Sequence, residues 1–249
     1  MAWWEAVLIA FAGLWAGTIN TVVGSGTLVT FPVLVALGYP PVTATTSNAV
    51  GLITGSITGA YGYRHELPGQ RDRLIRYAIA SFFGAIGGTV LLLSLPHKAF
   101  EVIVPGLVGI SVLLVAVQPL ITRRLRRRTS EPRSGPLLYV LIFLVGVYGG
   151  YFTAAQGIML VGVMGLLLAE PLQRLNAFKN VLTAVVNLVA GAIYAVVAPV
   201  SWPVIGILAV SSTLGGLLGA KIGRRLPAPV LRVIIVIIGV LAIVRLVTE

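Results

Sequence analysis

The chain of 249 residues contains no cysteine. Disulfide frameworks, thiolate metal sites and cysteine nucleophiles are therefore excluded. Charge is also scarce: Asp, Glu, Lys and Arg make up 10% of the residues, against about 25% in soluble domains. There are seven acidic residues and two histidines. Glu5, Glu66, Asp72, Glu101, Glu131, Glu170 and Glu249 all fall at or between the ends of apolar blocks, so no buried carboxylate pair is expected. No HExxH motif occurs. Without an acid–base pair, a metal motif or an activated nucleophile, the sequence does not support an enzyme, and no cofactor or metal is expected. The buried carboxylate that often serves proton or sodium coupling is missing as well.

What is present is apolar. Hydrophobic residues are 57% of the chain with glycine left out, against about 45–50% with glycine included in soluble proteins. A water-soluble fold would have to expose much of this surface, so the chain is read as facing lipid. Ten apolar blocks stand out: Trp3–Val23, Thr27–Leu37, Val42–Tyr63, Tyr77–Leu95, Ala99–Leu120, Leu137–Ala155, Ile158–Ala169, Leu172–Ala198, Val204–Ala220 and Pro229–Val247. Eight approach the roughly 20 residues that a spanning helix needs. Thr27–Leu37 and Ile158–Ala169 are too short, and each follows a long block across a glycine, at Gly24-Ser25-Gly26 and at Gln156-Gly157. The amino terminus lacks a basic region before its first apolar block, so no cleavable signal is expected.

The formal charge of +11 would suggest nucleic acid in a soluble protein. Here the bases lie between apolar blocks, where they set orientation in a membrane. The one long polar linker, residues 122–135, carries Arg123, Arg124, Arg126, Arg127, Arg128 and Arg133 and is assigned to the cytoplasm. Alternating the long helices outward from it puts every base except Lys98 and Arg245 on or near the cytoplasmic side, with both chain termini outside. Residues 1–121 and 136–249 then form two membrane repeats of opposite orientation. Each is a broken helical hairpin followed by three transmembrane helices. The expected fold is thus an all-α polytopic membrane protein with an inverted repeat, eight long helices and two short ones, an arrangement common in secondary transporters.

The segment Gly17-Thr18-Ile19-Asn20-Thr21-Val22-Val23-Gly24-Ser25-Gly26, followed by Phe31-Pro32-Val33-Leu34, Leu37-Gly38, Pro40-Pro41, Ala44 and Thr46-Ser47-Asn48, resembles the TauE/SafE sulfite exporter family, also called the toluene-sulfonate uptake permease family. Gly150, Gly157, Ala177 and Asn180 look like the degenerate second copy. The resemblance implies a carrier of sulfite, organosulfonates or related anions in a bacterial cell membrane. Its partners are then the anion and the bilayer. An anion channel and a non-transporting membrane subunit are the alternatives.

A break inside a membrane frees backbone amides that lipid cannot satisfy. The helix that restarts at Thr27 presents an N-terminus, whose free N–H groups and partial positive charge suit an anion. Gly24, Ser25, Gly26 and Thr27 are therefore candidate substrate contacts, as are Gln156 and Gly157 at the second break. Thr46, Ser47 and Asn48, in a run of small polar residues within an apolar block, join them. So do Lys179 and Asn180 of the corresponding second-half block, and Asn20. Lys179 either contacts the anion or snorkels to the cytoplasmic surface. Gly51, Gly55 and Gly59, and Gly215, Gly219 and Gly223, put small residues on one helix face; whether that face packs inside the chain or forms a homodimer is open in the sequence.

Overall fold

The computed structural model describes residues 1–126, 135–222, 233 and 235–240. Everything regular in it is helical. The order is α1 (Trp3–Val22), α2 (Thr27–Ala36), α3 (Pro41–Gly51), α4 (Ile53–Gly62), a 3-10 turn (Arg64–Glu66), α5 (Arg71–Ser94), α6 (His97–Arg126), α7 (Pro136–Tyr151), α8 (Gln156–Leu167), α9 (Leu172–Val197) and α10 (Trp202–Ile222). Five of these, α1, α5, α6, α9 and α10, contain stretches long and apolar enough to cross a membrane. Their outward faces carry large exposed side chains such as Phe11, Phe83, Val102, Leu113, Val196 and Val210. The chain is a polytopic membrane protein.

Two expected spans differ from what is observed. Val42–Tyr63 is two helices end to end, jointed at Leu52. Bonds from Leu52 N to Asn48 O and from Ser56 N to Leu52 O, both 2.9 Å, carry the ladder across the joint. Leu137–Ala155 is helical only from Pro136 to Tyr151, 16 residues. Most of Pro229–Val247 lies outside the described residues, as do Arg127, Arg128, Arg133 and Gly223. Residues 122–126 of the expected linker belong to the end of α6.

Lipid tails are as apolar as leucine, so close packing has to hold such helices together. Two interfaces show how. Where α1 crosses α10, a Cβ on Gly17 would overlap the Ser212 carbonyl oxygen, and one on Gly215 would overlap that of Leu14. Where α5 crosses α7, Gly88 sits in the same way against the Val147 carbonyl and Gly150 against that of Ala85. Gly51 packs on Leu208, Gly55 on Ser212 and Gly219 on Thr18. The small-residue face is thus internal along the described part of both stripes.

Polar contacts tie other segments to the turns at the two ends of α9. At one end, Glu170, between α8 and α9, accepts hydrogen bonds from Arg73 and Arg174, each at 2.7 Å. At the other, Thr46 Oγ1 donates to Pro199 O at 2.6 Å, and Ser201 N donates to Ser47 Oγ at 2.8 Å. These pairings put the start of α5 with the α8–α9 turn, and the middle of α3 with the α9–α10 turn.

Candidate functional site: two helix breaks in contact

α1 stops where Gly24 turns the chain. Its φ of +92° is a conformation that glycine adopts without steric cost. Val23 N and Gly24 N both donate to Ile19 O, at 2.7 and 3.0 Å. α2 then starts at Thr27 with no side-chain cap on its first turn and ends in a Schellman turn. There Gly38, at φ +85°, and Tyr39 return amides to Val35 and Leu34, closing the helix as such caps do.

The second break lies a step earlier than the sequence suggests. Gln156 and Gly157 are the first residues of α8, and the break itself is residues 152–155. Thr153 and Ala155 take the left-handed region there, with φ of 64° and 57°. That is costly for non-glycine residues, above all a β-branched one. No glycine falls within the break, so the glycine beside it, Gly157, marks it one step late.

The two breaks touch. Gly157 N donates to Gly24 O at 3.1 Å. A Cβ on Gly24 would lie 2.6 Å from Gly157 Cα, and one on Gly157 would lie 3.0 Å from both Gly24 O and Lys179 Cδ. Phe31 of α2 packs edge-on against Phe152, with ring centroids 5.3 Å apart. Ser111 of α6 reaches the Ala154 carbonyl at 3.4 Å.

Around this contact α9 presents a polar stripe. Lys179, Asn180, Thr183 and Asn187, at positions i, i+1, i+4 and i+8, are all buried. Lys179 has no exposed surface, so it does not snorkel. Its Nζ donates to Asn20 O at 3.0 Å and Thr21 O at 2.8 Å. Those carbonyls end α1 and have no partner within the helix, and the negative end of the helix dipole favours a cation beside them. Further along, Asn187 Nδ2 and Asn20 Nδ2 both donate to Ser56 Oγ, at 2.7 and 3.3 Å.

Asn48 laces α3 to the first turn of α2. Its Nδ2 donates to Thr27 Oγ1 at 3.1 Å, and its Oδ1 accepts a short bond from Thr30 Oγ1. Thr46 and Ser47 are not at the breaks. Their hydroxyls hold the α9–α10 turn, because successive residues of a helix point about 100° apart.

Several buried polar atoms in these segments have no hydrogen-bond partner among the described residues. They are Ser25 Oγ, both amide atoms of Gln156, Asn180 Nδ2 and Thr183 Oγ1. Such groups are rare in folded proteins and mark sites where a ligand or water completes the set. The Gln156 amide lies against Gly149 of α7. Of the two expected amide donors, Gly157 N–H is taken by Gly24, whereas the start of α2 has no side-chain cap. Thr183 is the residue that reasoning from the sequence missed. Its signal is its place on the Lys179–Asn187 face of an otherwise apolar helix.

Residues 9–246 match the family model described as sulfite exporter TauE/SafE. The chain belongs to the TauE/SafE family. It is similar to a probable membrane transporter protein of Haemophilus influenzae, 26% identical over 240 residues, covering 95% of this chain and 92% of that one. It is also similar to the probable membrane transporter protein YfcA of Escherichia coli K12, 25% identical over 234 residues, covering 91% and 85% of the two chains. A probable membrane transporter protein of a Sinorhizobium species, ORF9, is 24% identical over 249 residues, covering 97% and 93%. As a TauE/SafE protein, the chain is a multi-pass membrane transporter and not an enzyme. The segment that carries the family resemblance, from Gly17 to Asn48, is the one that builds the first break and its lacing to α3.

Proposed function

We propose that the protein is a secondary carrier for small sulfur-containing anions such as sulfite or organosulfonates, working by alternating access. One observation carries this reading: two helix breaks meet in the interior, in segments that hold buried polar groups lacking partners. The local field suits a negative solute. The uncapped first turn of α2 is positive, and the Lys179 side chain is so whenever it is protonated, while the Glu170 ion pairs lie away from the breaks, at the edge. In this reading Ser25, Gly26 and Thr27 offer donors from one break. Gln156, Lys179, Asn180 and Thr183 offer them from the other side, while Gly24, Gly157, Asn20 and Asn48 shape the cradle. The family's description as exporters favours outward movement.

The same proposal divides the chain into two membrane repeats, residues 1–121 and 136–249, of opposite orientation, joined by a cytoplasmic basic linker and with both termini outside. The matched crossings support it. α1 packs on α10 and α5 on α7, each through glycines set against carbonyls, and Gly17 and Gly150 play corresponding parts. Rocking of one repeat against the other would then open the site to each side in turn.

The test is counterflow in proteoliposomes. Labelled sulfite outside should accumulate transiently in vesicles preloaded with unlabelled sulfite. Taurine, sulfoacetate, thiosulfate and sulfate are offered as competitors to rank the substrate class. Flux that neither saturates nor shows counterflow would point to a channel, and no flux of any of these anions would remove the carrier reading.

A further inference from the structure

Lys179 is a buried titratable group that the binding scheme uses only as a donor of fixed place. Its surroundings suggest more. The side chain has no exposure, and its Nζ has two acceptors, the carbonyls of Asn20 and Thr21. An ammonium carries three N–H donors; a neutral amine carries two, the number accepted here. The groups against it are those carbonyls on α1 and Gly157 on α8, while Asn180 and Thr183 on its own helix hold buried polar atoms without partners. Among the described residues no carboxylate forms an ion pair with Lys179. The Arg73–Glu170–Arg174 cluster lies at the edge, around the first turn of α9. The end of α1 supplies only partial negative charge, and burying a full charge without a counter-ion is costly. An anion in the neighbouring site would supply both the missing counter-charge and the third acceptor.

We infer that Lys179 takes up a proton as the anion binds, so that the protein carries one proton with each anion. The inference rests on the anion-carrier reading. On the open side, a proton from water adds to the amine lone pair, and the new N–H bond is met by an oxygen of the anion. On release that N–H bond breaks, and proton and anion leave together. No electron moves, and with a monoanion the cycle is electroneutral. Proton coupling is thereby achieved without a buried carboxylate.

The probes are methanesulfonate and ethanesulfonate, which stay ionised near neutral pH and bring no proton of their own. The wild-type protein is reconstituted in vesicles holding a pH-sensitive dye, with the membrane potential clamped by potassium and valinomycin. Sulfonate entry should acidify the lumen mole for mole, at a rate indifferent to the clamped potential. Sulfonate entry without acidification, at a rate that follows the potential, overturns the inference and leaves the carrier reading intact. Absence of flux for both sulfonates also overturns it. The carrier reading falls only when sulfite counterflow in the same vesicles is absent too. Lys179→Arg keeps a cation and donors for the two carbonyls but does not deprotonate. Its flux should drop, and what remains should carry no proton and follow the potential. A Lys179 that only caps α1 would leave the proton-to-anion ratio of the Arg variant unchanged.

Discussion

At the scale of single residues, two asparagines that look alike in sequence have different tasks. Asn48 uses its amide to join Thr27 and Thr30, whereas Asn180 Nδ2 is buried without a partner. Asn180→Ala should therefore weaken anion binding roughly tenfold to a hundredfold, the worth of a hydrogen bond to a charged group, with little change in the thermal midpoint in detergent. Asn48→Ala should lower that midpoint, by about 1–3 kcal/mol of stability, because it leaves the buried hydroxyls of α2 without their partner. A ligand-stabilisation assay run beside a melting curve separates the two. Glu170 makes a pH-dependent case. Burial opposes its charge, but hydrogen bonds from Arg73 and Arg174 outweigh burial and hold its carboxyl below the usual range. A lowered carboxylate stabilises the fold fully above its ordinary value of about 4.3, and that stabilisation disappears as pH falls through the folded value. Glu170→Gln should thus melt below wild type near neutral pH, by about 1 kcal/mol or less since both arginines are partly exposed. The gap should close on acidification below about pH 4.

At the scale of elements, the glycine contacts give a positional test within one helix. A Cβ at Gly88 would overlap the Val147 carbonyl, whereas one at Gly87 would sit an ordinary 3.6 Å from a Val147 methyl. Gly88→Ala should push α5 off α7 and sharply reduce folded yield in size-exclusion chromatography, and Gly87→Ala should be tolerated. The first break was readable from Gly24 because a left-handed turn there calls for glycine. The second was read a step too late, at Gln156-Gly157, because Thr153 and Ala155 hold that conformation themselves, and the nearest glycine, Gly157, is there for close approach to Gly24 instead. Likewise the run Thr45-Thr46-Ser47-Asn48 stood out as polar, but helical periodicity sends Thr46 and Ser47 to the α9–α10 turn and only Asn48 to α2. The partner of Lys179 could not be read at all. It is the backbone of a helix about 160 residues away in the chain, and carbonyl acceptors leave no trace in side-chain chemistry.

At the scale of the whole molecule, the five long spans and the short helices α2 and α8 were legible in apolar block length, which responds to the bilayer directly. The absence of native cysteine makes the proposed orientation simple to check. Single cysteines replacing Ala2 and Lys98 should react with an impermeant maleimide added to intact cells, while one replacing Pro68, in the α4–α5 turn, should react only after permeabilisation. Reaction of Pro68→Cys in intact cells, with Ala2→Cys protected, would reverse the orientation. The bond from Gly157 to Gly24 has a mechanical corollary. Because the two interrupted segments are tied to each other by main chain at their tips, the middle of the molecule can serve as a fulcrum. Spin labels flanking that bond should keep a constant separation as the protein cycles, while pairs placed at the rims, near Glu170 and near Ser201, should lengthen and shorten in antiphase.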